Sequence, residues 1–166
     1  MIKSALRLAT GSVLLLASIC ATASAATADQ AFQLKGSLQE IPGPSPRCAS
    51  NFGGTILGAG DSALLGKVVF IATDCITPNG SLYTFSDGRF IITTATGEQV
   101  YANYSGQFVP TGEGTKYVFS NATFQITGGT GRYARASGGG DLTGGEDMAT
   151  GQGNVALTGR ILLKEK

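Results

Sequence analysis

The 166-residue chain is predicted to fold as a single all-β domain, because apolar residues alternate with polar or small ones at period two, glycine punctuates every few positions, and no helical periodicity follows the first segment. Its length suits one hydrophobic core.

The first segment reads differently. Lys3 and Arg7 precede an apolar stretch through Val13–Ala17 and Ile19, and the small residues Ala21–Ala25 follow. That order describes a secretory signal peptide over 1–25, cleaved near Ala25 and followed by one barrel domain over 26–166. The apolar stretch is shorter than the ~20 residues that cross a bilayer, so no integral membrane span is expected. A lipidated Cys20 is the lesser alternative, since that chemistry normally wants a small residue where Ile19 stands. The expected location is extracellular or periplasmic.

Taking Lys3 and Arg7 from the 12 basic residues leaves 10 against 11 acidic ones, a net charge of about −1. With no basic cluster beyond pairs such as Arg132 and Arg135, nothing points to nucleic acid or an anionic membrane surface. Loss of Cys20 leaves Cys48 and Cys75, which in an exported chain are read as a disulfide; two buried free thiols are the alternative.

Along the chain, strands are expected over Ala31–Leu38, Phe52–Leu57, Leu65–Thr73, Ser81–Phe85, Gly88–Ala95, Val100–Val109, Lys116–Thr127, Tyr133–Ser137 and Asn154–Leu163. Val100, Ala102, Tyr104 and Phe108 share one face of their strand, while Tyr101, Asn103, Ser105 and Gln107 share the other. Val155, Leu157, Ile161 and Leu163 point inward together in the last strand. Eight or nine short strands fit a sandwich or an up-and-down barrel, and the barrel is favoured because a meander closes most simply when the first strand meets the last. Two stretches are read as surface loops, the proline-rich 41–46 and the glycine-rich 138–153.

The chain contains no histidine and no tryptophan. Triads that need an imidazole and histidine-based metal or haem sites are therefore excluded, and no metal site or cofactor is expected. Calcium is the one ion with suitable ligands, at Asp141, Glu146 and Asp147, but their spacing does not match an EF-hand and they read first as a solvated acidic turn. Acid–base candidates near strand ends are Asp61, Asp74, Asp87 and Glu98, each read first as a turn residue. Gly128, Gly129 and Gly131 lack the lysine and helix of a phosphate loop and are read as a structural corner between strands.

The segment from Ile126 to Gly138, with Gly128-Gly129-Thr130-Gly131-Arg132-Tyr133 at its centre, resembles the glycine corner of dirigent proteins and of the wider group sharing the allene oxide cyclase barrel. The upstream stretch from Ser86-Asp87-Gly88 to Gly97-Glu98-Gln99 is similar to the same group, so the resemblance spans roughly Leu64 to Gly138. It implies an eight-stranded antiparallel barrel. Plant members guide phenoxy-radical coupling or cyclise an unstable epoxide without a cofactor, using residues outside the matched corner, so no catalytic residue is carried over.

The leading functional expectation is a secreted, non-enzymatic barrel binding a small apolar molecule, lined by Tyr83, Tyr101, Tyr104, Phe108, Tyr117 and Phe124. Each of these rings equally suits plain core packing. The alternatives are a cofactor-free cyclase or coupling guide and an extracellular or envelope interaction protein. A buried ionisable residue in a barrel cavity favours ligand binding or catalysis, and a solidly packed lumen favours the interaction module.

Overall fold

The computed structural model describes residues 27–164, so the expected signal peptide, Cys20 and the cleavage position near Ala25 lie outside the described residues. Eight antiparallel strands close into one barrel in sequence order: β1 (Thr27–Pro44), β2 (Phe52–Ser62), β3 (Gly66–Asn79), β4 (Leu82–Thr94), β5 (Gln99–Pro110), β6 (Lys116–Gly129), β7 (Ser137–Asp147) and β8 (Gln152–Lys164). β1 closes the barrel on β8 through a register running from Thr27 opposite Lys164 to Gln39 opposite Gln152. No helix among the described residues is long and apolar enough to cross a membrane.

Alternation puts one side chain in two into the lumen. Phe32 and Leu34 of β1, Phe70 of β3, Ile92 of β4, Val100 of β5, Ile126 of β6, and Leu157 and Ile161 of β8 are buried there. Higher in the lumen the packing is aromatic, with Phe85 4.7 Å from Phe108 and Phe90 4.5 Å from Tyr104 between ring centroids. The strand ends define two unlike rims. One carries the connections 45–51, 80–81, 111–115 and 148–151, and is here called the upper mouth; the other carries 63–65, 95–98 and 130–136. The lower rim is plugged by a 3-10 turn, Gly131–Tyr133, whose Tyr133 is fully buried.

The structure corrects four expectations about the elements. Ser81–Phe85 and Gly88–Ala95 belong to one strand, β4, interrupted by a bulge at Asp87, which adopts φ 50° where the register shifts between Phe85 and Gly88. Such a bulge breaks the alternation without ending the strand. Tyr133–Ser137 is no strand: its start belongs to the 3-10 turn, and β7 begins at Ser137. The glycine-rich stretch 138–153 is not a surface loop either, because it forms β7 and the start of β8. Its glycines carry no side chains to reveal period two, which survives only in the inward Leu142 and Glu146. Finally, β1 continues through Pro42 and Pro44. Its pairing with β8 stops at Gln39, and from Ile41 to Pro44 it pairs with β2 alone, so the edge tolerates residues without an N–H.

The Cys48–Cys75 disulfide forms, fastening the 45–51 connection to β3 with a Cα–Cα distance of 5.3 Å. The glycine corner joins β6 to the lower plug, with Gly128 at φ 140° and Gly131 at φ 55°. Its donors are already engaged: the Thr130 N–H donates to the Gln99 carbonyl at 2.9 Å, that of Tyr133 to the Thr130 carbonyl at 2.9 Å, and that of Arg132 to Glu98 Oε1 at 3.0 Å. A phosphate would have to displace these partners. A methyl group on Gly129 would meet the Gln99 carbonyl oxygen and come within 2.8 Å of Tyr133 Cβ. Gly129→Ala is expected to lower stability by about 1–3 kcal/mol, and millimolar phosphate at constant ionic strength should leave the melting midpoints of wild type and variant unmoved. A saturable phosphate shift seen only in wild type would make the corner an anion site.

Candidate functional site

At the upper end, the odd-numbered strands break the apolar pattern of the lumen. β1 delivers Glu40, β3 Asp74, β5 Tyr104 and β7 Glu146, all nine-tenths or more buried. Each follows its strand's inward parity: Leu34, Leu38, Glu40; Phe70, Ala72, Asp74; Val100, Ala102, Tyr104; Leu142, Glu146. The four line an internal cavity of about 30 Å³ among Phe85, Phe90, Phe108 and Phe119. Directly above, Glu40 and Glu146 also floor a cleft of about 320 Å³ in the upper mouth, walled by Phe52, Ile76, Tyr83, Tyr117 and Met148.

β2 makes room for these acids. Gly54 faces Glu40 and Asp74, and a methyl group there would collide with Glu40 Oε1 and lie 3.1 Å from Asp74 Oδ1. The Gly54 N–H donates to Asp74 Oδ1 at 3.2 Å, and the Tyr104 hydroxyl donates to Asp74 Oδ2 at 3.0 Å. Burial pushes the Asp74 carboxyl up to about 6, with the Tyr104 and Gly54 hydrogen bonds and the Arg47 charge pulling it back. Burial also raises the Tyr104 hydroxyl, and the neighbouring Asp74 charge adds to the rise.

Glu40 and Glu146 form a second unit. Outside the pair itself, no donor of the described residues reaches Glu40 Oε1 or Glu146 Oε2. Burial, then the charge of Glu146 and a hydrogen bond to it, push Glu40 up to about 10. Burial raises Glu146 as well, while the hydrogen bond from Glu40 opposes the rise. Two carboxyls in one desolvated place cannot both ionise cheaply, so near neutral pH the pair holds a proton, with Glu40 as its carrier.

The sequence-derived candidates scatter. Tyr104 and Phe108 line the internal cavity, and Tyr83 and Tyr117 wall the mouth with ring centroids 5.9 Å apart. Phe124 is a core ring packed on Phe32. Tyr101 lies on the outer face, half-buried, its hydroxyl donating to Gln99 Oε1 at 2.8 Å; it obeys the alternation that sends its neighbour Tyr104 inside.

Among the acids, Asp74 is not a turn residue but part of the buried cluster. Asp61 is exposed and paired with Lys67 at 2.6 Å. Asp87 occupies the β4 bulge, where its carbonyl accepts from Arg47 Nη1 at 3.2 Å. Glu98 braces the glycine corner. Asp141, Glu146 and Asp147 share no ligand set, because Asp141 is exposed, Glu146 points into the lumen, and Asp147 turns outward to accept from Thr115 Oγ1 at 2.6 Å. Among the described residues no three acidic or cysteine side chains converge in a way that could hold a metal ion.

Sequence reasoning missed Glu40 and assigned Glu146 to a loop. The available signal was a carboxylate continuing an inward apolar parity, legible at Glu40 once β1 is carried two residues beyond Leu38. No family model, curated protein or solved structure matches the chain, and the chemistry of the site therefore rests on its own geometry.

Proposed function

We propose that the protein is an exported barrel that binds a small, largely apolar molecule in its upper mouth, with the Glu40–Glu146 pair fixing the ligand's polar end. The observation that carries this reading is the mouth cleft itself, aromatic and apolar on its walls and lined at its base by two buried carboxyls that have no donor but each other. Its volume of about 320 Å³ lies at the small end of the range that ligand sites occupy. Below the acid cluster the lumen is filled by the apolar core, which supports placing a ligand in the mouth. The disulfide supports export, since such bonds persist in oxidising compartments.

Mass spectrometry of the protein purified without denaturation is expected to reveal a small organic molecule. Met148→Trp, which fills the cleft, should abolish it. A ligand-free wild type, or a ligand retained in that variant, would overturn mouth binding.

A second reading is favoured by one observation, the burial of Glu40 against Glu146 in a desolvated cavity, which pushes its carboxyl up to about 10. A carboxyl kept neutral near pH 7 can act as a general acid. Together with the resemblance of the glycine corner to the allene oxide cyclase and dirigent group, this supports cofactor-free cyclisation or isomerisation of the bound molecule. Chemical conversion of the co-purified molecule by wild type and not by Glu40→Gln separates catalysis from binding.

A further inference from the structure

We infer that the upper mouth selects an organic ammonium, a protonated amine on a small apolar body, whose N–H donors are taken by Glu40 and Glu146 while the aromatic wall holds the remainder. This rests on mouth binding and adds the ligand's charge and head group.

The charge lining the site is one-sided, with the cation nearest the cluster, Arg47, acting on Asp74 and Tyr104 from outside the lining. Neither the mouth cleft nor the cavity beneath it is lined by a lysine or arginine, and three buried carboxyls face them. Buried carboxyls normally have partners. Asp74 has two donors, whereas Glu40 Oε1 and Glu146 Oε2 receive none from outside the pair, and the one proton they share can be replaced by a ligand that brings several donors. An anion would be repelled there.

A bare metal ion is disfavoured because no three acidic side chains converge to ligate it among the described residues. An ammonium asks less, since its three N–H groups can be shared between two carboxyls at hydrogen-bond distance. Tyr83 and Tyr117, 5.9 Å apart between centroids, supply the π faces that favour a cation above the floor.

Binding then exchanges a proton for the ligand. In the free protein Glu40 carries the proton that Glu146 shares. When the ammonium enters, Glu40 releases that proton to solvent and both carboxylates accept from nitrogen, so the net charge of the site is unchanged. The titratable groups facing Glu40 are Glu146 on β7, Asp74 on β3, Tyr104 on β5 and the mouth tyrosines Tyr83 on β4 and Tyr117 on β6; Arg47 on the 45–51 connection acts on Asp74 and Tyr104, and β2 and β8 face Glu40 with Gly54, Ile56 and Val155. Of these, the carboxyl pair is the unit whose proton the incoming cation replaces.

The test is isothermal titration of the purified protein with 2-phenylethylammonium, its neutral counterpart 2-phenylethanol, and calcium chloride. The ammonium is expected to bind at least about tenfold more tightly than the alcohol at neutral pH, with proton release seen as a dependence of the heat on buffer ionisation. Its affinity should rise by about tenfold per pH unit between about pH 6 and pH 8, where one proton is displaced per ligand. Glu40→Gln, which preserves the shape of the protonated residue, should bring the affinity for the ammonium down to that for the alcohol. Glu146→Gln should do the same, and near-ultraviolet circular dichroism verifies that each variant is folded.

Alcohol binding as tight as that of the ammonium, and lost in Met148→Trp, would overturn the inference and leave mouth binding intact. Saturable calcium binding that displaces the ammonium and disappears in Glu40→Gln would overturn it in favour of a metal. Failure of both organic probes overturns it too. Mouth binding falls with it only if the natively purified protein also carries no molecule.

Discussion

Unfolding free energy is expected to fall as pH rises from about 5 to about 8, by about 4 kcal/mol from the largest contributor alone. The cause is the acid cluster. Glu40 gives up its proton near the ordinary glutamate value when the chain is unfolded, but keeps it up to about 10 in the barrel. Throughout that window the folded state binds more protons than the unfolded state. The stability this contributes is complete below the unfolded value and drains away as pH climbs toward the folded one. Asp74, raised to about 6, adds a loss of the same sign at the acid end of the window, and Glu146 is raised as well.

The window is clean because the chain has no histidine to titrate within it. Urea unfolding at several pH values measures the slope. Glu40→Gln should flatten it and be more stable than wild type at pH 8, while Asp61→Asn, at the exposed Lys67 pair, should leave it unchanged. A wild-type slope that is flat or rising, or one that survives Glu40→Gln undiminished, would show that the pair is not held protonated.

How much of this was legible depends on whether a segment's side chains report its geometry. β5 could be read directly, because Val100, Ala102, Tyr104 and Phe108 alternate with polar neighbours and all four are buried. The closing strand was equally clear from Val155, Leu157 and Ile161. β7 was hidden since five of its 11 residues, Gly138, Gly139, Gly140, Gly144 and Gly145, have no side chain to show a face. The bulge at Asp87 split β4 in the reading for a related reason, as one residue at positive φ resets the parity. Both effects hid the site: with β7 taken as loop, Glu146 had no inward direction, and with β1 ended at Leu38, Glu40 had no strand. Asp74 was singled out as an acid but placed at a turn, because the extension of β3 to Asn79 runs through Pro78. Convergence of residues 40, 74, 104 and 146 is a property of barrel closure, and closure is not local to any one segment.

Removing the disulfide is expected to destabilise the barrel by about 3.5 kcal/mol in the chain-entropy account, and to reach the acid cluster as well. Cys48 and Cys75 are 27 residues apart in sequence, so the bond closes a long loop whose freedom the unfolded chain regains when the bond is lost. Cys75 directly follows Asp74, and Arg47 directly precedes Cys48. The bond thus holds the arginine whose charge helps keep the Asp74 carboxyl from rising further. In a Cys48→Ala/Cys75→Ala variant the 45–51 connection is tied only by its own turn hydrogen bonds and by the Arg47 contact with the Asp87 carbonyl. Asp74 should then titrate at higher pH than in wild type, and the loss of stability with rising pH should extend further through that range. Urea unfolding of the variant beside oxidised wild type measures the first effect, and carboxyl chemical shifts followed through a pH titration measure the second. A variant within about 1 kcal/mol of wild type would remove the bond from the forces holding the barrel, and an unmoved Asp74 titration would separate Arg47 from the carboxyl cluster.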